Sequence, residues 1–429
     1  MKPDIFTEET SRELSFDEIV HIAKIAPKEL ISASVADGDD VSRDPGLLLT
    51  KKDIINIKTY EATALALPYT LEDVQTYLTF GNANDGGPGL AYKDFLSTFT
   101  LTREHALRWA PLNDEIRLTG TKLKIFSSHM IIYGDSITDL NTGIKNPGAI
   151  KEYLDSNNIT TLSQLKNIEI ISDEHFPGIE LKEGTKKDLD AYLSLIFEKV
   201  SINLKETDNL NKNIMKFSDD LTTVVLPQIK KQLKYVSDNT VQANITTLKH
   251  SIEERFLRIE EKNKEYTALV EKSFETAASL NIVGLGMAIY KGVEAENTRS
   301  ERNQLREAQQ QDIEKLDKKN QTLASLYRVK HELVGLHSVT FDAEASTKNL
   351  RHVWNVIHEF VKASKKSTDK INDTVSLSLF IHHFKLVVEP WRDIKKHTDL
   401  FIKIFKEADQ EYKQAYINST PQTRSPMEI

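Results

Sequence analysis

The sequence predicts an almost entirely α-helical, rod-shaped protein, and three observations carry that prediction. Helix breakers are unevenly spread: 12 of the 16 glycines and 8 of the 12 prolines lie in residues 1–184. From Thr185 to Val283 there is no glycine and one proline, Pro227; from Val293 to Glu389 there is one glycine, Gly335, and no proline. Stretches of that length without turn chemistry are hard to build from strands. Across them apolar residues recur at steps of three and four, with no alternation at period two. Finally, a hydrophobic fraction of 39% beside 28% charged residues suits thin helical layers better than one thick globule.

Taken in order, residues 1–48 hold a short helix near Phe16–Ile25 and an acidic loop, Asp37-Gly38-Asp39-Asp40. Residues 50–66 and 71–79 read as two short helices parted by Pro68, and 81–89 as a loop. A helix is predicted from about Ala91 to Ile144 past Pro111, with Phe126, Met130, Tyr133, Ile137 and Leu140 on one stripe. Small helices and loops fill 146–184. Next comes a long stripe of Leu189, Leu193, Ile196, Val200, Ile214, Phe217, Leu221, Val225, Ile229, Leu233 and Val236, continuing through Leu248, Ile252, Phe256, Ile259, Tyr266, Val270 and Phe274. Its register survives Pro227, which predicts a kink and not a stop. The piece from about 228 to 275 would span on the order of 70 Å.

The return stretch repeats the spacing at Ile313, Leu316, Leu323, Leu326, Val329, Leu333 and Leu336. Its other faces are dense in charge, as in Glu294-Ala295-Glu296-Asn297-Thr298-Arg299-Ser300-Glu301-Arg302, and read as a solvated coiled-coil exterior. A further helix is expected to hold Leu350, Val353, Trp354, Ile357, Val361, Ile371 and Phe380 and to end before Pro390. A last helix carries Trp391, Ile394, Phe401, Ile404 and Phe405, with a frayed polar tail from Asn418.

Chemistry is scarce. With no cysteine, disulfides, thiolate metal sites and cysteine nucleophiles are all excluded. A net charge of −8 without basic clusters argues against nucleic-acid binding. Gly284-Leu285-Gly286 lacks the third glycine and the preceding strand of a dinucleotide loop. His331-Glu332 and His358-Glu359 begin like zinc-protease helices, but Gly335 and Lys362 stand where the second histidine belongs. Adjacent His382 and His383 point to different helix faces, as ordinary surface or core histidines do. Asp37–Asp40 lacks calcium-loop spacing. No catalytic, cofactor or metal residue is assigned. The acidic N-terminus lacks the apolar core of a secretory signal, so export would need another route.

One segment stands out. Residues 276–290, Thr-Ala-Ala-Ser-Leu-Asn-Ile-Val-Gly-Leu-Gly-Met-Ala-Ile-Tyr, carry no charge and lie where the two long helices must reverse. Fifteen helical residues span roughly 22 Å, short of the ~30 Å hydrocarbon core, so a complete crossing is not expected. Shallow insertion at a bilayer surface is feasible, with Tyr290 and the flanking lysines at headgroup level. The alternative is an apex that tucks against its own bundle.

The order of parts resembles a family, the A component of alpha-xenorhabdolysin-type (XaxA/YaxA-like) binary α-pore-forming toxins in the cytolysin A superfamily. The likeness covers essentially the whole chain. It rests on Leu48-Leu49-Thr50-Lys51-Lys52-Asp53-Ile54-Ile55-Asn56-Ile57-Lys58 leading to Ala66-Leu67-Pro68, on the 228–340 hairpin with its apolar turn, and on Asn349-Leu350-Arg351-His352-Val353-Trp354. The resemblance implies a cytolysin A-like rod: a tail bundle of about five helices, a coiled-coil neck and a small hairpin head. The N-terminal arm would be 1–48, the tail 49–235 with 325–429, and neck and head 236–324, with the tip at 276–290. It further implies a soluble, secreted, non-enzymatic protein without cofactors, which assembles with a B component into a ring on the target-cell bilayer. The membrane-contacting tip carries over to Leu280, Ile282, Val283, Leu285, Met287, Ile289 and Tyr290. Against this stands a coiled-coil scaffold or spacer, which would form constitutive oligomers and ignore lipid.

Overall fold

The architecture was taken from a computed structural model, which describes residues 15–36, 44–78, 89–140, 184–239, 243–279, 293–371 and 373–419, with single positions at 156 and 181. Among these the fold is all-α, without an extended strand. The helices are α1 (Phe16–Ser34), α2 (Lys51–Leu65), α3 (Leu71–Tyr77), α4 (Tyr92–Leu107), α5 (Trp109–Asp139), α6 (Thr185–Asp220), α7 (Leu226–Asn239), α8 (Ala243–Ser279), α9 (Val293–Asp317), α10 (Gln321–Thr368) and α11 (Thr374–Ser419).

Several boundaries differ from the sequence reading, each for a local reason. The helix expected from Ala91 onward is two, because Pro111 falls in the first turn of α5, where a missing N–H costs nothing, and the chain breaks just before it at Arg108. Pro227 also sits in a first turn, that of α7. A π-helical turn, Leu221–Val225, precedes it, closed by Leu226 N–H donating to Leu221 O. That extra residue per turn is how the stripe passes the proline. Pro390 was expected to end a helix and instead lies inside α11. An interior proline costs about 3 kcal/mol. Val387, Val388, Trp391 and Ile394 around it are all buried, each worth roughly 1.5–3 kcal/mol, so packing wins. The actual break falls at 369–373, where Asp373 caps α11 by accepting from Ser376 N at 2.8 Å.

The chain divides into two compact units. Unit 1 comprises Met1–Lys28, Lys124–Leu204 and His352–Lys396; unit 2 comprises Glu29–Leu123, Lys205–Arg351 and His397–Ile429. Unit 1 is built on aromatic side chains. Phe126 meets Trp354 edge-on at 4.8 Å and Trp391 at 4.7 Å, while the two indoles stack at 5.7 Å. Phe16 on α1 stacks on Phe360 and Phe380, both at 6.4 Å, and His383 lies 6.1 Å away as part of that core. Gly134 allows α5 and α11 to touch: a Cβ there would sit 2.5 Å from Val388 Cγ2.

In unit 2 the buried Leu47, Leu48 and Leu49 lead into α2. α2 starts with a capping box: Asp53 N donates to Thr50 Oγ1 at 3.2 Å, and Thr50 N donates back to Asp53 Oδ2 at 3.0 Å. Tyr60 on α2 and Phe217 on α6 enclose His105 of α4, whose ring stacks on Phe217 at 4.2 Å. The Phe217 carbonyl can only accept, so His105 Nε2 carries the hydrogen at 3.1 Å and Nδ1 accepts from Tyr60 OH at 2.7 Å. Buried Gln232 of α7 donates to Gly89 O at 2.7 Å.

Candidate functional site

The candidate site is the hairpin formed by α8 and α9, wholly within unit 2. α8 contains 37 residues, about 55 Å of helix. Its buried positions are heptad-spaced: Ile245, Ile252, Ile259 and Tyr266 in one row, Phe256 and Val270 in the other. Asn263 occupies the second row between Phe256 and Val270. Its carbonyl accepts from Arg302 Nη1 at 3.3 Å and from Ser338 Oγ at 2.8 Å.

Side-chain pairs fix the antiparallel register of the two stems. Ser251 on α8 donates to Asp312 on α9 at 2.8 Å, and Arg255 pairs with the same carboxylate. Further along, Lys262 meets Glu301 at 2.7 Å and Thr298 donates to Glu265 at 3.3 Å. Burial pushes the Asp312 carboxyl up, but hydrogen bonds from Lys315, Ser251 and Arg255 outweigh it and hold the group below the usual carboxylate range.

The charged face of α9 is not the solvated exterior its sequence suggested. Arg299 and Arg302 are buried. Arg299 donates to Asp53 Oδ1 of α2 at 3.0 Å and lies 3.7 Å from Asp342 of α10. Tyr266 OH donates to the other Asp342 oxygen at 2.7 Å. Arg306 stands 3.8 Å from Glu332 and 3.5 Å from His331 Nε2, while His331 Nδ1 bonds Gln309 at 2.7 Å. Burial lowers the basicity of Arg306 and of His331, and raises the Glu332 carboxyl. The His331-Glu332 pair, zinc-like in sequence, is thus the seat of an arginine. A visible signal was available: basic residues at 299, 302 and 306 keep the three-four step of a buried stripe.

Gly335 belongs to the same cluster. A Cβ there would occupy the Arg306 guanidinium position, which explains a glycine in mid-helix despite a cost of about 1 kcal/mol against alanine. Gly335→Ala is expected to destabilise unit 2 by about 2 kcal/mol, because moving Arg306 leaves Glu332 buried with a weakened partner. In an Arg306→Ala background the same change is expected to stabilise by up to ~1 kcal/mol. Urea titration of the four proteins reads that reversal of sign.

The predicted tip residues, Leu280, Ile282, Val283, Leu285, Met287, Ile289 and Tyr290, lie in the 280–292 segment joining the stems, outside the described residues. Among the described residues no helix is long and apolar enough to cross a membrane, and no group of three His, Asp or Glu could hold a metal ion.

No protein-family model and no curated protein sequence matches the chain. Among solved structures it is similar to YaxA from Yersinia enterocolitica, with 24% identity, 86% of this chain and 100% of that chain covered, and a TM-score of 0.45. It is similar to XaxA from Xenorhabdus nematophila at 24% identity, covering 86% and 99%, with a TM-score of 0.43. It is likewise similar to the XaxAB pore complex from Xenorhabdus nematophila at 24% identity, covering 86% and 100%, with a TM-score of 0.42.

Proposed function

We propose that the chain is component A of a binary pore-forming cytotoxin, engaging the target bilayer through the hairpin tip and assembling there with a B component into a ring. The observation that carries the reading is the uncharged segment 276–290 joining two stems held in antiparallel register by cross-helix pairs from 251/312 to 265/298. The family resemblance on residues 48–58 and 349–354 supports it. The B component, the ring and the division into arm, tail, neck and head belong to the same proposal. Energetically the tip would act as a reversible anchor. Seven apolar side chains leaving water at ~25 cal/mol per Å² contribute several kcal/mol, enough for attachment without permanent insertion. Assembly would then multiply weak contacts through effective concentration.

The test is flotation with phosphatidylcholine–phosphatidylglycerol liposomes, comparing wild type with the Val283→Asp, Leu285→Asp double variant. Two carboxylates in the tip are expected to cut bound protein at least tenfold. Equal flotation of the two proteins would remove the tip from the mechanism. A constitutive oligomer indifferent to lipid would favour the scaffold reading.

A further inference from the structure

Among the described residues, α8 and α9 differ in what they bury. α8 meets α10 largely through aromatic surface, Phe256 stacking on Tyr327 at 6.1 Å and Tyr266 meeting Phe341 edge-on at 6.2 Å, with polar pairs beside it: Glu253 with Lys330, Asn263 with Ser338 and Tyr266 with Asp342. On α9 every buried side chain between Ala295 and Ile313 is polar, namely Thr298, Arg299, Arg302, Gln309 and Asp312. Thr298, Arg302, Gln309 and Asp312 keep the three-four step of a coiled-coil seam, in which half-buried Leu305 is the aliphatic member. Together with half-buried Arg306, the buried polar side chains bind three helices: α2 through Asp53, α8 through Asn263, Ser251 and the Ile252 carbonyl, and α10 through Asp342 and His331, with Arg306 reaching Glu332.

The two kinds of contact respond oppositely to water. Apolar surface is lost at full cost when a helix leaves its site. An ion pair or hydrogen bond is largely replaced by hydration, and a buried ion pair roughly breaks even against its own desolvation. Burial pulls Arg302 down to about 10, a mark of the desolvation that exposure would relieve. α9 therefore fits two environments, whereas α8 fits one. At its far end the seam changes character: Ile313 and Leu316 are buried and apolar, and a turn follows in which Asn320 N donates to Leu316 O at 2.8 Å.

We propose that residues 298–312 form a releasable seam: this part of α9 parts from α2, α8 and α10 as a unit, pivoting at 313–320, while α8 stays packed on α10. Opening the stem in this way strips few aliphatic contacts from α9 itself, chiefly those of half-buried Leu305 and Ala308. The proposal concerns the free protein and does not depend on the membrane reading.

Native-state hydrogen exchange of the full chain tests it. In wild type, amides 298–312 are expected to exchange through a sub-global opening, with a weaker urea dependence than amides 323–345 of α10. The neutral swap Arg306→Met with Glu332→Leu replaces an ion pair by apolar contact and is expected to slow exchange of 298–312 at least tenfold. Exchange of 298–312 only together with 323–345 in wild type overturns the proposal. So does an unchanged rate in the double variant. Should that variant fail to fold, the wild-type comparison decides, with Arg302→Met as the second seam substitution.

Discussion

Lowering the pH from 6.5 to 4 is expected to destabilise unit 2 by about 3 kcal/mol through His105 alone. Burial holds the folded-state pKa of this histidine at about 4, against an ordinary value of 6.5. Both ring nitrogens are committed in the neutral form, one donating to the Phe217 carbonyl and one accepting from Tyr60. Protonation would turn the acceptor into a donor facing the Tyr60 hydroxyl, which would have to turn its own hydrogen away. Between pH 4 and 6.5 the unfolded chain binds more protons than the folded one, so stability rises with pH across that window. The contribution is complete above 6.5, is lost as pH falls, and changes no further below 4. Burial lowers His331 and His337 in the same unit as well, so they act in the same direction. Urea midpoints at pH 7 and 4.5 measure the slope. His105→Gln keeps a donor and an acceptor without titrating, and is expected to flatten the profile by the His105 share. An unflattened profile would clear His105 of the role.

The second large effect is expected from Trp354→Ala. Trp354 is 2% exposed and packs against Phe126 and Trp391, which lie with it in unit 1 on the segments of α5, α10 and α11 that belong there. Truncation removes both aromatic contacts and leaves a cavity that fully buried neighbours cannot fill, a loss of about 3–5 kcal/mol. The protein has three tryptophans, and the third, Trp109, lies in unit 2 near Phe217. Indole fluorescence therefore separates the two units. Trp354→Ala is expected to lower the urea midpoint reported by Trp391 while leaving the Trp109 transition nearly in place. A loss below 1 kcal/mol would mean that the aromatic cluster is not what holds unit 1 together.

Much of this fold was legible because helices advertise themselves by what is missing. The breaker-poor stretches and the Leu189–Val236 stripe gave the class, and the structure buries eleven of those stripe residues, Leu189, Leu193, Ile196, Val200, Ile214, Phe217, Leu221, Val225, Ile229, Leu233 and Val236. Boundaries were harder where tertiary packing overrode local chemistry. Pro390 survives inside α11 because its neighbours are buried, and the break at 369–373 has neither glycine nor proline to announce it. The larger misreading was the α9 face. Charge normally means water, and only the partners Asp53, Asp342 and Glu332, distant in sequence, make burial of Arg299 and Arg306 tolerable. Such a partnership cannot be seen from one helix. The proposed apolar tip rests on an absence of charge along 276–290 and lies mostly outside the described residues.

Asp53 serves two masters with its two oxygens, one receiving the Thr50 amide and hydroxyl, the other the Arg299 guanidinium. Thermodynamic linkage makes any coupling between the two contacts reciprocal: to the extent that losing Arg299 changes the stability of the α2 start, losing the Thr50 cap changes the Arg299 contact by the same free energy. The Thr50–Asp53 turn is therefore a remote handle on the hairpin, and a ligand or substitution that tightens it would shift how often α9 lets go.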